Sequence, residues 1–182
     1  MPARKGRQAR QAIVPTLTHG WLTGVLESGQ KDSLSMGPIV AVALSAVVAG
    51  SFDILATALL VRSQGIPFPR MLQFIASGLV GAAAFEGGAG TAALGFALHY
   101  GIATIWALIY FAISIHWPVV ARPLLLSGMY CGVTVHLVMS GIVLPLSRVK
   151  RPFSGKAWLI QLAIHIVCVG LPIAAVQALR AH

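Results

Sequence analysis

PIVAVALSAVVAGSFDILATALLV, residues 38–61, carries a single ionisable side chain, Asp53, in an otherwise apolar run. As a helix rising ~1.5 Å per residue it measures about 36 Å. The hydrocarbon core of a bilayer is about 30 Å thick, so the run is long enough to span. Its small residues Ala46, Ala49, Gly50, Ala56 and Thr57 surround Asp53 at helical spacing. Stripes of small residues let membrane helices approach closely, which turns Asp53 toward a neighbouring helix rather than lipid. A charge left in lipid costs a few kcal/mol or more, and such residues are functional-site candidates by default.

Three further runs, 91–115, 119–144 and 157–179, repeat the pattern with His99, His136 and His165. In 119–144, Gly128, Gly132, His136 and Ser140 follow one another at i, i+4, which puts His136 on the close-contact face. In 157–179, Gln161, His165 and Cys168 share a face. Trp117 and Trp158 mark interfaces. Residues 70–86, between Arg70 and Glu86, are Ala/Gly-rich and cover only about 25 Å as a helix, marginal for a span. The expected fold is therefore an all-α, polytopic transmembrane helical bundle of four long spans over 37–182, with one short embedded or interfacial helix at about 70–86.

Composition agrees. The chain has 182 residues, 57% hydrophobic and 9% charged, with mean hydropathy +0.85. Soluble domains carry about 25% charged residues. The net charge of +9 arises from 13 Lys and Arg lying almost wholly outside the runs. These are read as topology determinants near lipid headgroups. No nucleic-acid module is present, so the expected partner is the lipid bilayer, with a homo-oligomer or another membrane protein as candidate. Cys131 and Cys168 lie inside apolar runs, without zinc or redox spacing, and read as buried thiols.

Residues 1–36 stand apart as a basic tail with Arg4, Lys5, Arg7 and Arg10. Three readings stay open: a disordered cytoplasmic tail, an organellar presequence, or an upstream extension before a start at Met36. Counting cations near the spans, five spans with the N-terminus inside place nine inside and four outside. Four spans give seven against six, and a chain starting at Met36 gives six against two. Depth argues for four spans. Asp53 and His136 each lie eight residues before the end of their run, and His99 and His165 eight after the start of theirs. With four spans these ends share one surface, and all four groups fall in one layer about 12 Å below it. With five, Asp53 moves to the opposite side from the histidines. A shared layer lets polar groups satisfy one another, which favours four.

The stretches Ala49-Gly50-Ser51-Phe52-Asp53, Ile75-Ala76-Ser77-Gly78-Leu79, Phe85-Glu86-Gly87-Gly88, Leu98-His99, Leu144-Pro145-Leu146-Ser147 and Ile164-His165 resemble a group of small bacterial inner-membrane proteins. The resemblance covers about 38–179, and His136 is outside its pattern. It implies a bacterial inner membrane and supplies no activity, substrate or ligand.

The candidate site is thus the layer Asp53, His99, His136 and His165, with Glu86 and Gln161 as accessories. Its plainest role is packing, where a hydrogen bond between membrane helices contributes ~0.6–2 kcal/mol. A transport reading makes the layer a proton or cation relay, because histidine titrates near neutrality, with the break at Glu86–Gly90 resembling a discontinuous transporter helix. A cofactor reading places haem b between His99 and His165, or a metal among the histidines and Asp53. No haem-attachment motif and no hydrolase, metalloprotease, phosphate-loop or dinucleotide fingerprint occurs. The expectation is a non-enzymatic transport or assembly component without a cofactor, with the haem-binding electron-transfer subunit as alternative.

Overall fold

The computed structural model describes residues 36–148 and 154–181. The basic tail, with its alternative readings, and the cations Lys150 and Arg151 lie outside the described residues. Helix α1 is Pro38–Arg62, α2 is Phe68–Val80 and α3 is Gly88–His116. Helix α4 runs Leu124–Leu146 and α5 runs Gly155–Ala178. A 3₁₀ stretch, Gly81–Phe85, continues α2, and a single turn, Pro118–Ala121, precedes α4. The described residues form an all-helical bundle. Five segments, counting 68–85 as one, are long and apolar enough to cross a membrane, and they fit an integral membrane protein.

The packing is inside-out compared with a water-soluble bundle. In α1 the buried stripe is Ala41, Val42, Ser45, Ala46, Ala49, Gly50 and Ile54, while Phe52, Leu55 and Leu59 are more than half exposed. Small residues meet helices and large ones face outward. That pattern suits lipid, where tight backbone approach rather than expulsion of apolar surface from water joins helices.

Neighbouring long helices run antiparallel. Along α1 and α3, Val42 and Ala46 pack with Ala107, a Cβ at Gly50 would press on Tyr100 at 3.0 Å, and Ile54 clusters with Ala92. Along α4 and α5, Gly128 meets Leu171, and Gly132 meets Ile166. The crossing is tightest at Gly132 and Gly170, where an added Cβ would run into the facing backbone. The ends of α1 and α4 and the starts of α3 and α5 therefore lie at one end of the bundle. Arg62, Arg70, Arg148 and Lys156 belong to that end, and Arg122 and Arg180 to the other.

This arrangement requires 68–85 to begin and finish at the same end, and it does. A straight helix would set residues 70 and 85 about 22 Å apart. Instead Arg70 donates from Nη1 to the Phe85 carbonyl at 3.2 Å and stacks over the Phe85 ring at 4.1 Å. The reversal falls at Gly81, with φ 71° and ψ −151°, a conformation open essentially to glycine alone. Gln73 Nε2 donates to the Gly88 carbonyl at 3.0 Å, and Thr91 Oγ1 to the Ala84 carbonyl at 2.6 Å. The hairpin seats on Gly95, where a side chain would collide with the Leu72 carbonyl. The short embedded helix expected at 70–86 is this hairpin.

Two boundaries differ from the sequence reading. The third span begins at Leu124 rather than 119, because Pro123 interrupts it: Arg122 is still helical, but Pro123 leaves the helical region at ψ 87° and has no N–H to continue the turn Pro118–Ala121. The span's other end reaches Leu146 rather than 144, so Pro145 sits inside its last turn. The proline ring has no N–H and crowds the carbonyl four residues back. The turn before Pro145 widens to a π-turn over Met139–Val143, and that before Pro172 does the same over His165–Gly170. The helix continues through both.

Candidate functional site

The site grows from α1 and α3. His99 Nε2 lies 2.8 Å from the Gly50 carbonyl. A carbonyl only accepts, so this nitrogen carries a proton and donates. The approach is possible because Gly50 has no side chain to hold the α3 rings away. The other nitrogen, Nδ1, faces Asp53 Oδ2 at 3.9 Å, an ion-pair separation rather than a hydrogen bond. Asp53 Oδ1 is buried without a hydrogen-bond partner among the described residues. The carboxylate is thus under-satisfied, which is uncommon for a buried acid.

On the facing helices, His136 Nδ1 and His165 Nδ1 are 3.1 Å apart. One must donate and the other accept, so the contact excludes protonation of both rings at Nδ1. His136 Nε2 is buried with no hydrogen-bond partner, and its ring stands edge-on to Trp158 at 4.5 Å. A bare acceptor is better tolerated in such a place than an orphan N–H. His136 is therefore the donor through Nδ1, and His165 keeps its proton on Nε2. Ser140, on the same stripe as His136, bonds back to the His136 carbonyl at 2.7 Å and takes no part in the site.

Asp53, His99 and His165 all line one cavity of about 560 Å³, with Thr57, Arg70 and Gln161. Its size falls in the range of small-molecule sites, ~300–1,000 Å³. The remaining wall is largely apolar and includes Ile102, Trp106 and Val135. His136 stands behind His165, outside the lining. Glu86, proposed as an accessory, is exposed beside the hairpin and does not line the cavity. The glycines that follow it open the chain to water there. Gln161 does line it, one helical turn before His165.

Sequence reasoning missed the Gly50 carbonyl, Arg70 and Trp158. The first is a backbone atom and left no side-chain signal. The π-turn that begins at His165 had one available signal, the mid-helix Pro172. Among the described residues no group of three or more His, Cys, Asp or Glu is arranged to hold a metal ion. Comparisons of the chain with protein-family models, with curated proteins and with solved structures find no match.

Proposed function

We propose that this chain is a small, non-enzymatic transport protein of the bacterial inner membrane that handles its substrate at the Asp53–His99 pair. The observation that carries the reading is an under-satisfied carboxylate and an imidazole lining one cavity, within a bundle otherwise built from apolar surface. A group used only for packing is expected to find its hydrogen bonds within the bundle. Asp53 leaves one oxygen unpartnered and holds the other beyond bonding distance of its neighbour. The bilayer is the principal partner, and no nucleic-acid partner is invoked. Counted over the described residues alone, four cations against two, the positive-inside rule turns the end bearing Arg62, Arg70, Arg148 and Lys156 toward the cytoplasm.

The haem alternative is less well supported by the same geometry. Bis-histidine ligation needs a free nitrogen on each ring, and His99 has its Nε2 on Gly50 and its Nδ1 turned to Asp53.

Proteoliposomes test the transport reading. With a proton gradient and a pH-sensitive dye inside, wild-type protein is expected to dissipate the gradient faster than empty vesicles. Asp53→Asn keeps the shape and a hydrogen-bonding group but not the charge, and should remove that flux with the thermal unfolding curve unchanged. Wild-type flux in a folded Asp53→Asn protein would make Asp53 a packing residue and the protein a candidate assembly component.

A further inference from the structure

We propose that the cavity binds a lipophilic primary or secondary ammonium ion in competition with a proton. This deepens the transport reading and rests on the same site. Three features select the ligand. First, the polar end of the cavity is rich in acceptors. The Asp53 carboxylate only accepts, and so does His99 Nδ1 in the neutral ring, because the proton of that ring is fixed on Nε2 by the Gly50 carbonyl. Gln161 supplies an amide oxygen. A ligand that donates several N–H bonds suits these groups, whereas a carbonyl or phosphate would meet oxygen with oxygen. Second, Asp53 is the one acidic residue among the described residues of the lining. A buried charge needs an opposite charge beside it, and a single cation matches it. Third, Ile102, Trp106 and Val135 offer an apolar wall for the body of the ligand.

The same atoms explain competition with a proton. Asp53 and His99 Nδ1 share one place for a proton between them. With that proton bound, the pair is electrically neutral and has no net charge to offer an ammonium. Without it, the pair carries one negative charge. Binding is then an exchange: the ammonium enters with all its own protons, and one proton leaves the pair for water. The other titratable or charged groups turned toward the pair are His165 and Cys168 on α5 and Arg70 on the hairpin. Arg70 is already engaged with the Phe85 carbonyl and ring, which holds its charge at the hairpin.

The test uses the full chain, purified in detergent, and titration calorimetry with 3-phenylpropylammonium and its uncharged counterpart 3-phenylpropanol. The ammonium is cationic across the pH range used. At pH 8 it should bind at least about tenfold more tightly than the alcohol. On the acid side its affinity should fall toward about tenfold per pH unit, the limit for displacing one proton. Buffers of different ionisation enthalpy should report one proton released per ammonium bound at low pH. Asp53→Glu should retain binding, and Asp53→Asn should reduce the ammonium to the level of the alcohol. Equal affinity for alcohol and ammonium overturns the proposal, as does undiminished binding to folded Asp53→Asn. An affinity that stays flat with pH overturns the exchange. If Asp53→Asn does not fold, the two ligands on wild-type protein still decide. Ammonium binding without flux in vesicles would retire the transport reading alone. Proton flux without ammonium binding would retire this inference alone.

Discussion

His99 donates through Nε2 to the Gly50 carbonyl, and His136 is joined to His165 through the two Nδ1 atoms. The two contacts predict different responses to mutation. The second is a closed pair, so removing one ring strands a buried nitrogen on the other. His136→Leu or His165→Leu alone should cost ~1–3 kcal/mol. The double variant should cost less than the sum, because no partner is left stranded. Thermal unfolding of the four proteins in detergent measures the coupling, and additive losses would show that the 3.1 Å contact contributes nothing. Asp53, His99 and His165 were legible in the sequence because an ionisable side chain in an apolar run stands out, and their equal depth predicted that they share a layer. The three line one cavity together with Gln161, and His136 stands outside it. Glu86 looked similar on the page, but it belongs to a helix break, where a carboxylate meets water at no cost. What was illegible was the backbone acceptor: any residue supplies a carbonyl, and only the fold shows which one a ring reaches.

Elements are held here by glycines in two ways. At Gly81 the backbone takes φ 71° and ψ −151°, so Gly81→Ala should destabilise the protein by ~1–3 kcal/mol through strain alone. At Gly170 the backbone is right-handed helical and unstrained, with φ −64° and ψ −50°, but an added side chain meets the backbone of Gly128 and Gly132. Gly170→Val should therefore separate α4 from α5, at about 1–3 kcal/mol or more for overpacking. Both losses are read as shifts of the unfolding temperature in detergent, and a stabilised Gly170→Val would refute the close crossing. The topology has its own test, by labelling single cysteines in intact cells with an impermeant maleimide, after Cys131 and Cys168 are replaced by Ala. Gln64→Cys and Ser154→Cys should label from the same side, and Trp117→Cys from the other. Labelling of Gln64→Cys and Ser154→Cys from opposite sides would make 68–85 a crossing helix. Length and hydropathy left that segment undecided, since they treat any apolar stretch as a straight rod. The deciding facts are a residue that permits reversal and an arginine that ties the two ends, neither of which a hydropathy average contains.

For the whole molecule, small residues inside and large ones outside mean that the bundle depends on the surface around it. The cavity at Asp53 and His99, about 560 Å³, compares with about 200 Å³ for a second one beside Tyr110 and Ser127. The cofactor question is answered on the intact protein by a visible spectrum with and without reductant after haem-replete expression. The reading given above expects a colourless preparation. A bis-histidine spectrum lost in both His99→Ala and His165→Ala would replace it with electron transfer.

The hairpin bears on how the protein is made. Its seat is assembled from chain that emerges later: Gly95 on α3 receives the Leu72 carbonyl, and the amide of Arg148, beyond α4, donates to the Gly78 carbonyl at 3.1 Å. Residues 68–85 are also the least apolar of the five membrane-compatible segments. When the ribosome has delivered only α1 and this stretch, the hairpin has its contact with Ile54 through Met71 and Leu72 but lacks the seat on α3 and the bond from Arg148. Its seat is complete only once some sixty further residues have been synthesised. The expected consequence is that this segment settles late: Ala84→Cys, fully buried in the finished bundle, should react with a maleimide in chains that end before residue 88 and be protected in the full chain.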